Sequence, residues 1–186
     1  MEKIKLNDFL KLNKEDLLGK IIVFPTDTVY GVGCLYLDDK ARDKIYNMKK
    51  RDYGKSLPIL LSKLEDAKKL ARIATKDEEY LKYWPGALTI IFVSIDKNYI
   101  HPTIALRMPN SNIALAIFDK FGPMEVTSVN YSGEKELNSV EEIEDKFSEF
   151  VDYIIIDNQV FSKTPSTIIS LANGFKVLRE GSIKFN

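Results

Sequence analysis

The chain has 186 residues, 45% of them hydrophobic and 29% charged, with 27 Lys and Arg against 27 Asp and Glu. This is the composition of an ordinary globular protein, long enough for one sizeable core and short for two full domains. Zero net charge argues against a broad cationic face for nucleic acid, the lone Cys34 excludes an intrachain disulfide, and the single His101 leaves too few soft ligands for zinc.

In chain order, the N-terminal stretch carries charges throughout and has no apolar run of the secretory type. Residues 5–17 predict a short helix, with Leu6, Phe9, Leu10 and Leu12 at helical spacing. Residues 20–24 predict a buried strand stopped by Pro25, and 39–50 a helix capped by Asp38 or Asp39, with Ala41, Ile45 and Met48 on one face. A short strand is expected at 57–61 and amphipathic helices at 64–73 and 76–83, the second broken by Trp84-Pro85-Gly86. Strands follow at 88–95 and 103–107, a helix at 113–121, a strand at 124–128 and a charged helix at 139–148. Strands at 151–156, 167–171 and 175–179 complete the pattern. The longest apolar run, 88–95, is far short of the ~20 residues a membrane span needs, so a cytoplasmic protein is expected. Short strands interspersed with helices predict a single α/β domain over 1–186 with a twisted mixed sheet.

Polar and cationic residues gather where these elements end. Pro25-Thr26-Asp27-Thr28-Val29-Tyr30-Gly31-Val32-Gly33 runs from a buried strand into a polar turn and a glycine-punctuated stretch. Glycines there admit close backbone approach to a ligand, yet Thr and Asp also satisfy ordinary turns, and Asp27 is expected to hold its own loop. Lys49, Lys50, Arg51 and Lys55 fall within seven residues at a helix end. The helix C-terminus accounts for the first two. Arg51 and Lys55 suit phosphate, one by paired hydrogen bonds and one as a point charge. In 83–89, Trp84 is expected to pack in the core beside a Pro-Gly turn. Arg107 ends an apolar strand and needs either a salt bridge or an anionic ligand. Ser128 and Asn130, Ser166 and Thr167, and Arg179 sit similarly at strand ends, where α/β sheets bind ligands. No Walker A loop or G-x-G-x-x-G is present.

Taken in order, Pro25 to Gly33, Lys49-Lys50-Arg51, Trp84 to Thr89, Arg107-Met108-Pro109, Ser128 to Gly133, Ser166-Thr167 and Arg179-Glu180-Gly181 resemble the YrdC/Sua5 family of threonylcarbamoyl-AMP synthases over residues 20–183. The resemblance implies a twisted mixed sheet with flanking helices around a large concave cationic cavity. It implies that threonine and bicarbonate form an N-carboxy species that attacks the ATP α-phosphate, releasing pyrophosphate. A separate transferase complex, contacted transiently, then serves A37 of tRNAs reading ANN codons, with weak or no direct tRNA binding by this chain. By match to the family's motifs, Lys49 and Arg51 are catalytic. Lys49, Arg51, Lys55, Thr103, Ser128, Asn130 and Arg179 bind ATP, and Thr28, Arg107, Thr127 and Ser166 bind threonine. Mg²⁺ is expected to arrive with ATP, and no protein metal site is expected.

The chain departs from the family pattern at four places. Asp52 stands where Pro is usual, Ser56 where a second Pro is usual, Leu60 where some members have His, and Val129 where Ala is usual. The rival readings are an RNA-binding or ribosome-maturation factor using the same cavity without catalysis, and the carbamoyl-adenylate chemistry of hydrogenase-maturation proteins. The second belongs to much longer chains with zinc-finger cysteines, which this chain lacks.

Overall fold

The computed structural model describes residues 1–157, 159 and 161–185. Its elements are β1 (Glu2–Ile4), α1 (Leu6–Phe9), a 3₁₀ turn at Lys14–Leu17, β2 (Ile22–Pro25), β3 (Tyr30–Leu35), α2 (Asp39–Lys49), β4 (Ile59–Leu60), α3 (Leu64–Leu70) and β5 (Ala71–Arg72). There follow a 3₁₀ segment at Thr75–Tyr83, β6 (Leu88–Ser94), β7 (Thr103–Arg107), α4 (Asn112–Phe121), β8 (Met124–Ser128), α5 (Val140–Phe147), β9 (Tyr153–Ile155), β10 (Thr167–Ser170) and β11 (Lys176–Arg179).

One sheet joins the strands in the order β1-β9-β2-β3-β8-β4-β7-β6-β10-β11, with β5 beside β6. It is mixed: β1 and β2 run parallel to β9, β4 to β7 and β10 to β6, while the other pairs are antiparallel. Buried β2 shows how its faces are used. Ile21 and Val23 pack toward one cluster, with Ala41, Ile45 and Met48 of α2 and Ile143 and Phe147 of α5. Ile22 and Phe24 point the other way, toward Ile117, Phe118 and Phe121 of α4 and Phe9 of α1. That alternation is the period-2 pattern of a strand covered on both faces. The β6–β7 half has its own cluster, which includes Ala67 and Leu70 of α3.

Local signals explain most boundaries. The Asp38 carboxylate accepts from the Ala41 N–H at 3.0 Å and starts α2. The Ser111 hydroxyl caps α4 and that of Ser139 caps α5. The sequence expectation omits β1, carries the helix at 64–73 over Ala71–Arg72, which instead pair with β6 as β5, and fails in three further places. Residues 5–17 are not one helix, because Asn13 opens a new turn by donating its N–H to Asp16 at 2.8 Å. Thr75–Tyr83 winds as 3₁₀, which eclipses i and i+3 and lets Tyr80 and Tyr83 both touch Phe185.

The third difference is β3: the glycine-punctuated stretch after the polar turn, for which the sequence predicts no strand, pairs along its length with β2 and β8. The role of its glycines is to admit β8: a Cβ on Gly33 would lie 2.8 Å from the Glu125 carbonyl oxygen, and one on Gly31 2.8 Å from Val126.

Candidate active site

A cavity of about 350 Å³ lies where strand ends from the two halves of the sheet face each other. The β2–β3 turn contributes Thr26 and Thr28, β8 and its following loop Thr127, Ser128 and Asn130, and the end of α2 Lys49 and Arg51. From the other half come Arg107 at the end of β7, Thr89 on β6, Ser166 before β10 and Arg179 at the end of β11. The carboxylates Glu134 and Glu136 also line it.

The deepest corner is built around Arg107, which is only 5% exposed. Its Nε donates to the Gly86 carbonyl at 3.0 Å, Nη1 to Thr28 Oγ1 at 3.0 Å and Nη2 to Asp27 Oδ1 at 2.6 Å. A guanidinium has five N–H groups, so one hydrogen remains on each terminal nitrogen. The proton on Thr26 Oγ1 goes to the Val29 carbonyl at 2.6 Å, so in the 3.1 Å pair of hydroxyls Thr28 donates to Thr26. That leaves the Thr28 lone pairs for Arg107. Burial pulls the Arg107 guanidinium below its ordinary value and Asp27 opposes the pull. A buried cation held this way, with N–H groups to spare, is suited to a carboxylate.

Lys49 is 2% exposed and spends its three ammonium hydrogens on the protein. They go to the Ser128 carbonyl at 2.5 Å, the Asn130 carbonyl at 2.8 Å and Asn130 Oδ1 at 2.6 Å. Burial, reinforced by the neighbouring Arg51 charge and opposed by Glu136, pushes its pKa down to about 7. Asn130 Oδ1 also accepts from Ser128 Oγ at 2.8 Å, and its Nδ2 donates to the Glu134 carbonyl at 2.6 Å. Lys49, Ser128 and Asn130, separate expectations from sequence, thus form one knot in the cavity wall. Lys49 acts on the cavity by its charge, with no N–H left over for a ligand.

Arg51 is half-exposed and ties only Nε and Nη2 to the Lys55 and Ser56 carbonyls, at 3.0 and 3.2 Å. Its Nη1 has no hydrogen-bond partner among the described residues, and the side chain lines the cavity. Arg179 straddles the Ser166 carbonyl with Nε at 3.0 Å and Nη2 at 2.8 Å, and Ser166 Oγ pairs with Thr89 Oγ1 at 2.7 Å.

Two expected residues do not join this group. Lys55 is exposed and meets the site only through its backbone carbonyl, which also accepts from Tyr46 at 3.0 Å. Thr103 pairs with Val93 at the opposite end of β7 from Arg107, about 13 Å away at ~3.3 Å per residue. Sequence reasoning also assigned Asp27 to its own loop, whereas its carboxylate reaches Arg107. It passed over Thr26, Thr89, Glu134 and Glu136 as lining residues. The hydroxyls of Thr26 and Thr89 within motifs already singled out were the available signal.

Three of the four departures from the family pattern have plain accommodations. Val129 is fully buried in the core cluster beside α2, outside the cavity lining. Asp52 Oδ1 accepts from Gly54 N–H at 2.9 Å, making by side chain the turn that Pro favours by its ring. Leu60 lines the cavity as an apolar wall. Among the described residues there is no group of metal-ligating side chains and no helix long and apolar enough to cross a membrane.

Fold and site together define a twisted mixed-sheet α/β protein whose cavity sets a buried guanidinium, suited to a carboxylate, beside further cations. Residues 17–181 match the family model for Sua5, YciO and YrdC, described as "Telomere recombination", and the chain belongs to that family. It is 34% identical over 191 residues to a Methanocaldococcus jannaschii protein provisionally named threonylcarbamoyl-AMP synthase, covering 98% of this chain and 88% of the relative. The threonylcarbamoyl-AMP synthase of Pyrococcus abyssi is 31% identical over 171 residues, 86% of this chain and 49% of the longer relative. Among solved structures, P. abyssi Sua5 complexed with L-threonine superposes with a TM-score of 0.87 at 27% identity, over 98% of this chain and 58% of that one. E. coli YciO superposes with a TM-score of 0.84 at 26% identity, over 96% of this chain and 90% of that one.

Proposed function

We propose that this chain is a threonylcarbamoyl-AMP synthase acting as a nucleotidyltransferase, with 1–186 working as one domain. The amine of L-threonine adds to bicarbonate with loss of water, and a carboxylate oxygen of the product attacks the ATP α-phosphorus. The bond to the β-phosphate oxygen breaks and pyrophosphate leaves with its electron pair. The nucleophile belongs to the substrate, so the protein's part is to position, neutralise charge and exclude water.

The observation that carries this reading is Arg107, held by Asp27, Thr28 and Gly86 with a hydrogen remaining on each terminal nitrogen. It suits the threonine carboxylate, with Thr28, Thr127 and Ser166 about the rest of the amino acid. The free edge of Arg51 and the charges of Lys49 and Arg179 serve the triphosphate, and Ser128 and Asn130 hold the wall it lies against. Mg²⁺ would come with ATP as its counterion. The relative solved with L-threonine supports the choice of amino acid. Cytoplasmic action and transient contact with a threonylcarbamoyl transferase follow from this role.

The test is pyrophosphate release from ATP by the purified chain with threonine and bicarbonate present or omitted. Release is expected only when both are present. Release indifferent to both, or tight salt-sensitive tRNA binding without any release, would remove this reading.

A further inference from the structure

The Asp27 carboxylate is not among the groups that line the cavity, yet it takes the shortest of the three bonds Arg107 makes. The two residues stand 80 positions apart and both side chains are largely buried. The loop that presents Asp27 is pinned from outside. Its backbone carbonyl accepts from Ser162 N–H at 3.0 Å and that of Thr28 from Lys163 N–H at 2.8 Å. The backbone of this loop is therefore held by bonds that do not involve Arg107.

Geometry gives each partner of Arg107 a different task. The Gly86 carbonyl and the Thr28 hydroxyl, both uncharged, fix Nε and Nη1. Asp27 alone fixes Nη2 and is the only one of the three that carries charge. Without it only two of the three nitrogens are tethered, Nη2 is loose, and the plane can tilt. The two leftover hydrogens would then no longer present a matched pair to a carboxylate.

We infer that Asp27 is a positioning residue for the amino-acid substrate, setting the plane of the Arg107 guanidinium so that both leftover N–H groups meet the substrate carboxylate together. This rests on the reading of Arg107 as the carboxylate anchor. It also opposes a simpler picture in which Asp27 competes with the substrate for Arg107, and the two make opposite predictions. Positioning means that loss of the Asp27 charge weakens threonine use, whereas competition means that the same loss strengthens it.

The experiment is pyrophosphate release by the full chain, with threonine varied at saturating ATP and bicarbonate, then ATP varied at saturating threonine. Wild type is measured first, and if its release does not depend on threonine the functional reading itself falls. Given that dependence, Asp27→Asn, which keeps an oxygen acceptor but loses the charge, is expected to raise the threonine KM at least about tenfold. Its ATP KM should stay within about twofold. Asp27→Glu, which keeps the charge but displaces it by one methylene, provides a variant should Asp27→Asn fail to fold, and is expected to raise the threonine KM selectively. A threonine KM within twofold of wild type, or below it, in a folded variant overturns the inference. So does an equal rise in both KM values, which a merely structural role would produce.

Discussion

Lys49 and Asn130 are joined twice, the ammonium donating to both the backbone carbonyl and the side-chain oxygen of one residue. The end of α2 is thereby fastened to the loop after β8, which also donates the Ser132 N–H to the Lys49 carbonyl at 2.8 Å. The bond explains how a lysine in a substrate-sized cavity is kept in place, and what its loss would undo.

Lys49→Met keeps the length of the side chain and removes its donors. It leaves the Asn130 oxygen with Ser128 alone and the Ser128 carbonyl short of a partner. The expected cost is about 1.5–3 kcal/mol, the usual worth of a hydrogen bond to a charged group. Urea denaturation of the variant beside wild type measures it. An unchanged midpoint would show that the knot contributes nothing to stability.

The same lysine predicts a pH dependence. Its pKa in the free protein is pushed down to about 7, mainly by burial. A polyphosphate in the cavity favours the charged form, so binding raises that pKa and takes up a proton. Triphosphate affinity is fully present below pH 7 and is lost as pH rises through the free value toward the bound one, by at most about tenfold per unit. Calorimetric titration with ATP in buffers of different ionisation enthalpy at pH 8 should show proton uptake. Lys49→Met should show none.

Arg51 and Arg107 separate binding from stability. Arg51→Ala removes a half-exposed side chain tied only to two carbonyls. It should lower kcat/KM by about 10- to 150-fold, equivalent to ~1.5–3 kcal/mol, with little change in melting temperature. Arg107→Ala should lower activity at least as far and also destabilise the fold, because it strands the Asp27 carboxylate in a buried site. Breaking such a pair costs about 3–5 kcal/mol. Steady-state kinetics and thermal unfolding on the two variants distinguish these cases.

Gly33→Ala tests the close approach of β3 to β8. The added methyl would meet the Glu125 carbonyl oxygen at 2.8 Å and Val126 Cγ2 at 2.9 Å. A carbonyl within a sheet cannot rotate away as a side chain can, so a loss of about 1–3 kcal/mol is expected from overpacking. Chemical denaturation reads it directly, and a neutral result would mean the two strands can part locally.

Much of the layout was legible from residues 20–24, 39–50, 103–107, 113–121 and 124–128, where apolar spacing and caps agree. Arg107 was legible for the same reason, being a cation that closes an apolar strand. β3 was hidden because glycine reads as a breaker in isolation, and its meaning appears only once β8 lies 2.8 Å from where a Cβ would be. Local pattern could place Asp27 in a turn but could not show that its partner lies 80 residues later. Lys55 and Thr103 entered by motif and position alone. The chain turns Lys55 outward and puts Thr103 at the far end of its strand.

The cavity walls come from two halves of one sheet, with Thr28, Lys49 and Ser128 on one side and Arg107, Ser166 and Arg179 on the other. A substrate seated between them behaves as mortar as well as cargo. Each contact it makes to both walls must be surrendered before the halves can separate. Occupancy therefore raises resistance to global opening by the mass-action term of ligand binding, and slow-exchanging amides on strands as distant as β2 and β10 should gain protection together.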